Sequence, residues 1–486
     1  MSARLLVIGI DALDSIQIEK YRDSLPNITR MGRNGQSIRL NSVTPPDSDT
    51  AWATIHTGLN PAEHGIVKYD DPLEKSNRLA SGDHDNSALR GRTFWDRASE
   101  SGKRVCVLLP HMGFPVWPVN GVMVGRSGHD KNPSVYPPDF KTTFDLTRLN
   151  VVPGIPGRHK EAYIKANEDL TLSQTEFAEE MLRREDWDLF FIYSSVLDMI
   201  QHYFWNMCDA TDPSYPGPNP YQNTIRHFYS LHDQMVGRLM ELAGEQATTI
   251  VLSDHGHGMR PMEIFNVNEF LRRNHWLVLK ENLASRQTAG FIDKTKNQLL
   301  AIISNWGLGT LASQSIRFMP WARKLYSSPL SMDWNKTQAF ATNLSGVKAY
   351  TYGGINIRRE GIGQDEYETL RGQIINQLLK VQDPAVRKSV IRWVCRREEL
   401  YSGPYLTRYP DILFELRDGL GAGLTADGNL FGKAPSHQLV PGSHRGDTTV
   451  FLTSYHRFTS INNLSLMEIY SLFMEILLNE QKANTI

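Results

Sequence analysis

The chain has 486 residues, more than one ordinary domain needs, with 40% hydrophobic and 22% charged residues. That balance excludes a disordered or fibrous chain. With 52 basic against 53 acidic residues the formal charge is -1, so no basic excess points to a nucleic-acid polymer.

The chain opens on MSARLLVIGIDALD. Its apolar run, Leu5 to Ile10, is too short for a secretory segment and reads as a first strand. Further continuous apolar runs at Val105–Leu109, Leu189–Tyr193, Thr249–Leu252 and Thr448–Leu452 read as strands buried on both faces. Helical periodicity marks 174–184, 221–243, 365–380 and 465–478, the last opening on the capping-box pattern Ser465 to Glu468. Strands alternating with helices predict an α/β fold with a mostly parallel sheet. Two stretches break that rhythm. Residues 110–165 are rich in Pro and Gly and read as long surface loops. Residues 266–435 lack the alternation and read as an insertion, leaving 1–265 and 436–486 as the core. No run approaches the roughly 20 apolar residues of a membrane span. A cytoplasmic protein with no membrane contact is the expectation. Cys106, Cys208 and Cys395 are odd in number and far apart, which implies buried thiols rather than a disulfide framework.

Five places carry chemistry-bearing residues. Asp11 follows the first strand, and Asp254-His255 follow the run IVLS. Open α/β sheets build their sites at the carboxyl ends of strands, so these positions can converge. Asp198 and His202 stand four apart, one turn along a helix face, which suits a shared metal. Ser48 lies in PPDSDTAWATIHTGLN at a helix start, where backbone N–H groups favour a phosphate. His444 lies in GSHRGD. Carboxylate and imidazole donors without thiolates suit Zn²⁺ or Mn²⁺. His257 is the rival ligand beside His255, and is read first as supporting the loop or the ligands. His64 is read as holding the loop after the Ser48 helix, Arg445 as a packing or phosphate-contacting side chain, and Trp52 as packing that helix on the sheet.

The stretches LLVIGIDALD, TGLNPAEHGI, FPVWPVNGVMVG, DMIQHYFW, LSDHGHG, DWNKT and GSHRGD, in this order, resemble the type I phosphodiesterase/nucleotide pyrophosphatase branch of the alkaline phosphatase superfamily. The resemblance implies a three-layer α/β sandwich with a substrate-side insertion at 266–435. It also implies two divalent metals, Zn²⁺ first and Mn²⁺ second. Asp198, His202 and His444 then hold one metal; Asp11, Asp254 and His255 hold the other, which also meets Ser48. Ser48 lies nine residues before Thr57 of the Thr-Gly pair, the spacing of the family's nucleophile. Thr50 is the rival hydroxyl. The implied function is hydrolysis of a small phosphodiester; a phosphomonoesterase, phosphonate hydrolase or phosphomutase on the same fold is the alternative. Two departures stand out. Asp49-Thr50-Ala51 replaces the Pro that often follows the nucleophile. Tyr69 stands where nucleotide pyrophosphatases place an Asn against the phosphoryl oxygen, which makes Tyr69 a candidate substrate contact. The pattern of formylglycine sulfatases is absent.

Overall fold

The computed structural model describes residues 3–67, 88–126, 132–280, 332–342, 349–434, 437, 440–455 and 462–478. Two compact units divide them. One is built from Met1–Ile66, Gly82–Gly258 and Gly442–Ile486, the other on Met259–Pro441.

A nine-stranded sheet forms the first unit. In chain order its strands are β1 (Ala3–Ile10), β2 (Gln36–Asn41), β3 (Val105–Leu108), β4 (Gly121–Gly125), β5 (Ser134–Tyr136), β6 (Trp187–Ser194), β7 (Thr248–Leu252), β8 (Thr449–Thr453) and β9 (Asn463–Ser465). Across the sheet they run β9-β2-β8-β7-β1-β6-β3-β4-β5. β1 pairs in parallel with β6 and β7, β3 with β6 and β4, and β2 with β9. β8 lies antiparallel between β7 and β2, and β5 antiparallel on β4. β4 and β5 fall inside the stretch read as loops. Their Pro- and Gly-rich flanks masked two short strands, β4 held in register by β3 and β5 by β4.

Side chains alternate across β1. Leu5 and Val7 enter a core with Phe191 of β6 and with Trp52, Phe94, Trp95 and Phe473, supplied by the helices Ser48–Thr57, Phe94–Glu100 and Leu466–Leu478. Leu6 and Ile8, equally buried, face the opposite side, which the long helices Lys160–Arg184 and Thr224–Ala243 cover with Pro26–Asn34. Burial on both faces explains the unbroken apolar runs. The Lys160–Arg184 helix begins well before the expected 174, because its first turns bury Tyr163, Asn167 and Thr171 rather than a plain apolar stripe. Ser465 and Glu468 do cap the last helix, the Ser465 N–H donating to Glu468 Oε2 at 2.7 Å.

In the second unit an antiparallel four-stranded sheet runs Ala339–Ala341, Tyr352–Ile357, Ile412–Leu416, Ile391–Arg396. The helix Gln364–Leu378 packs on it through Tyr367, Leu370, Ile374 and Leu378. Cys106 is buried, while Cys208 and Cys395 are half-buried, the first at a helix end and the second on a strand. None is bonded to another. Among the described residues no helix is long and apolar enough to cross a membrane.

Candidate active site

The carboxyl ends of β1, β6 and β7 stand side by side because β1 sits between the other two. Asp11 follows β1, Asp254 and His255 follow β7, and β6 leads at once into the helix Val196–Cys208 that carries Asp198 and His202. His444 arrives on the short strand Gly442–Arg445, which pairs with Gly256–Met259 directly after His255. Chain topology alone thus brings together all six expected ligands.

Their rings are aimed by backbone carbonyls. His202 Nδ1–H donates to Gly442 O at 3.1 Å, His444 Nδ1–H to Pro46 O at 2.9 Å, and His255 Nδ1–H to Gly256 O at 3.0 Å. Each bond leaves Nε2 as the lone-pair nitrogen facing inward. His202 Nε2 and His444 Nε2 come within 2.9 Å of each other. Two lone pairs at that distance repel unless a proton or a cation lies between them. Asp198 Oδ1 stands 3.5 Å from His202 Nε2 and 3.4 Å from His444 Nε2.

The second cluster centres on His255 Nε2, which lies 3.2 Å from Asp254 Oδ2, 3.5 Å from Asp11 Oδ1 and 3.2 Å from Ser48 Oγ. Its ring stacks on that of His444, with centroids 3.8 Å apart. Asp11 Oδ1 and Asp254 Oδ2 are buried and accept no hydrogen bond. Burial, reinforced for Asp11 by the Asp254 and Asp198 charges and for Asp254 by Asp198, pushes both carboxyls well above the usual carboxylate range. Burial also opposes ionisation of Asp198, but His202, His444 and His257 around it hold it well below that range. Burial, then the nearby His444, pushes the His255 imidazole down to about 3, which keeps it in the neutral form a metal takes. Crowded carboxylates with unpaired oxygens and inward-facing imidazole lone pairs fit divalent cations. Among the described residues two groups have donor atoms all within 4.8 Å of one another: Asp198, His202, His257 and His444, and Asp11, Asp198 and His255. Asp198 therefore belongs to both, where the sequence placed it in one, and His257 stands with the first group.

Ser48 is the first residue of its ten-residue helix and is half-buried. Thr50 is wholly buried, and its hydroxyl has no hydrogen-bond partner. Trp52 does more than pack. Its indole N–H donates to Asp11 Oδ2 at 3.2 Å, and the Tyr193 hydroxyl donates to the same oxygen at 2.5 Å. Gly9 makes room for this, since a Cβ there would meet the Trp52 ring at 2.6 Å. His111, which no motif marked, joins Tyr193 Oη at 3.1 Å to Asp49 Oδ1 at 2.7 Å. The only sequence signal for it was its place just after a strand end. His64 holds its loop through Thr54 Oγ1 at 3.0 Å and the Ile66 N–H at 3.1 Å. Arg445 lies over Gly258 in the paired strands. Tyr69 lies outside the described residues.

A mostly parallel sheet thus carries buried carboxylates, imidazoles and a helix-start serine at its strand ends, a set that fits divalent cations. The chain belongs to the type I phosphodiesterase / nucleotide pyrophosphatase family, whose sequence profile matches residues 5–307. Compared by sequence, no curated protein matches it. Its fold is that of the alkaline phosphatase superfamily. It is similar to phosphonoacetate hydrolase from Sinorhizobium meliloti 1021 in complex with phosphonoformate, at TM-score 0.57 and 15% identity over 98% of this chain and 96% of that one. The same enzyme with phosphonoacetate gives TM-score 0.58, 15% identity and the same coverage. Murine ectonucleotide pyrophosphatase / phosphodiesterase 5, in complex with AMP, gives TM-score 0.49 and 14% identity over 98% of this chain and 95% of that one. At these identities the likeness is one of fold.

Proposed function

We propose that this protein is a two-metal phosphodiesterase acting on a small phosphodiester, with Ser48 as its nucleophile. The observation that carries the reading is the contact of 3.2 Å between Ser48 Oγ and His255 Nε2, at a helix start beside the unpaired oxygens of Asp11 and Asp254. Asp198, His202 and His444 would hold one divalent ion. Asp11, Asp254 and His255 would hold the other, next to Ser48. Zn²⁺ suits these donors, and Mn²⁺ is the second choice. When bound, such a pair supplies electrostatic stabilisation to the attacking and leaving oxygens of an in-line displacement.

The protein's own groups do the rest. Ser48 Oγ forms a bond to phosphorus as the bond to the leaving alcohol or phosphate breaks; water then cleaves the Oγ–P bond and restores the serine. The N–H groups at the start of the Ser48–Thr57 helix would favour the negative charge of a phosphoryl group bound at Ser48. Trp52 and Tyr193 fix the Asp11 carboxylate through two hydrogen bonds. The described part of residues 266–435 supplies none of the clustered donors, and we assign to this stretch the choice of leaving group. The test is turnover of bis-p-nitrophenyl phosphate, mono-p-nitrophenyl phosphate and phosphonoacetate by metal-reconstituted protein. The diester is expected to be cleaved fastest. Faster monoester or phosphonate cleavage would move the reaction to another class on the same fold.

A further inference from the structure

We infer that His257 is a fourth protein ligand of the Asp198/His202/His444 half-site, which gives that ion three imidazoles where the ion at Ser48 has one. The inference rests on the two-metal reading and says how its two ions differ.

Three observations carry it. His257 is 2% exposed, and neither ring nitrogen has a hydrogen-bond partner. A buried imidazole in that state loses the water bonds of both nitrogens with nothing in return, unless a cation takes one of them. Second, its Nε2 stands 3.6 Å from Asp198 Oδ1, the same oxygen that His202 and His444 approach. One carboxylate oxygen and three imidazole nitrogens thus surround one point, all within 4.8 Å of one another.

Third, the surroundings are shaped to hold that ring. Trp205, on the helix of Asp198 and His202, stacks on it with centroids 5.6 Å apart and 28° between planes. On the other side Gly442 leaves the space it occupies, for a Cβ there would run into His257 Cε1 and the Gln201 carbonyl. The Gly442 carbonyl meanwhile orients His202. The His257 backbone N–H is pinned by Asp14 Oδ2 at 3.0 Å. A histidine that served only as filler would need none of this.

A fourth protein donor strengthens the hold on an ion, which can still expand to five-coordinate to meet a reacting oxygen. The Ser48 half-site has a single imidazole, His255, beside Asp11 and Asp254. The half-site with three imidazoles should therefore retain its ion when the other exchanges.

The experiment loads the wild-type full chain with Co²⁺ and follows chelator-driven loss by metal analysis. X-ray absorption on the protein carrying only the retained ion counts imidazole donors. Two phases of loss at least tenfold apart are expected, with three imidazoles on the retained ion. His257→Ala and His257→Gln should each merge the phases, shortening retention by about tenfold or more, with circular dichroism unchanged. Two imidazoles on the retained ion in the wild type would overturn the inference without any variant. So would unchanged retention in a folded His257 variant. If the wild type binds no metal at all, the two-metal reading falls as well, and that outcome is distinct from either of these.

Discussion

The two halves of the site are built from opposite materials. Around Asp198 one carboxylate faces three imidazoles, and the carboxylate is held ionised by its neighbours. Around His255 one imidazole faces two carboxylates that burial first, and then neighbouring carboxylate charge, pushes well above the usual carboxylate range. The first half is balanced before any ion arrives. The second holds two carboxyls that resist ionisation, beside the Ser48 hydroxyl. The two halves therefore differ in what an incoming ion has to displace.

The largest effect belongs to Ser48. Ser48→Ala should lower turnover by roughly 10³–10⁴-fold or more, since losing an attacking group costs on that scale. Both metals should stay bound, and any covalent phosphoryl-enzyme seen by mass spectrometry should vanish. Thr50→Ala should change turnover by less than about tenfold, because its hydroxyl has no partner to lose. Ser48→Thr should retain part of the activity. A dead Thr50→Ala beside an active Ser48→Ala would move the nucleophile by two residues. Equal small losses in both would point to direct attack by water.

Next come the ligands that differ between the halves. Asp254→Asn should empty the Ser48 half-site, weakening its metal by more than the roughly 10–100-fold cost of losing an outer partner. The Asp198 half-site should remain full. Metal analysis at one and two equivalents separates these outcomes, and loss of both ions together would erase the distinction between the halves.

Much of this was legible in the sequence, for reasons visible in particular residues. Leu5 to Ile10 betrayed its strand because both faces of the sheet are covered, and Asp11 followed from the rule that sites gather at strand ends. Asp198 and His202 were legible because helix periodicity is local. His257 was not. Two positions past His255, it carries the same signal as a loop histidine, and only the pairing of Gly256–Met259 with Gly442–Arg445 shows what it faces. Tyr193, Trp52 and His111 were hidden for a similar reason. Their bonds to the site span up to 182 residues, and each side chain alone reads as core or loop. β4 and β5 were lost among prolines, since an edge strand needs little apolar sequence once its neighbour is in place.

The halves should also differ in protons. In metal-free protein the raised Asp11 and Asp254 carboxyls keep their protons to higher pH than free aspartate, whose value is about 3.9. An ion needs them ionised, so loading the Ser48 half-site releases protons, and its affinity falls as pH drops through the raised range. Asp198 is already ionised, so the other half-site should show little carboxylate-linked release. Calorimetry in two buffers of different ionisation heat measures protons per ion. Equal release in both steps would contradict the contrast.

The smallest effect tests how the Ser48 half-site is held. Asp11 Oδ2 accepts from both Trp52 and Tyr193, and Oδ1 is left for the ion. Tyr193→Phe removes one of these bonds and cuts the link from Asp11 to His111 and Asp49. The ring itself should stay, since it packs edge-on against Trp52 with centroids 5.0 Å apart. The expected outcome is about a tenfold weaker metal at the Ser48 half-site, as for loss of an outer partner, with the Asp198 half-site unchanged. Turnover at saturating metal should recover most of its wild-type value, because the hydroxyl orients a ligand and does not touch the reacting atoms. If turnover stayed low at saturating metal, Tyr193 would act on the substrate directly. If both ions weakened equally, the two halves would share one scaffold, and their different chemistry would not make them independent.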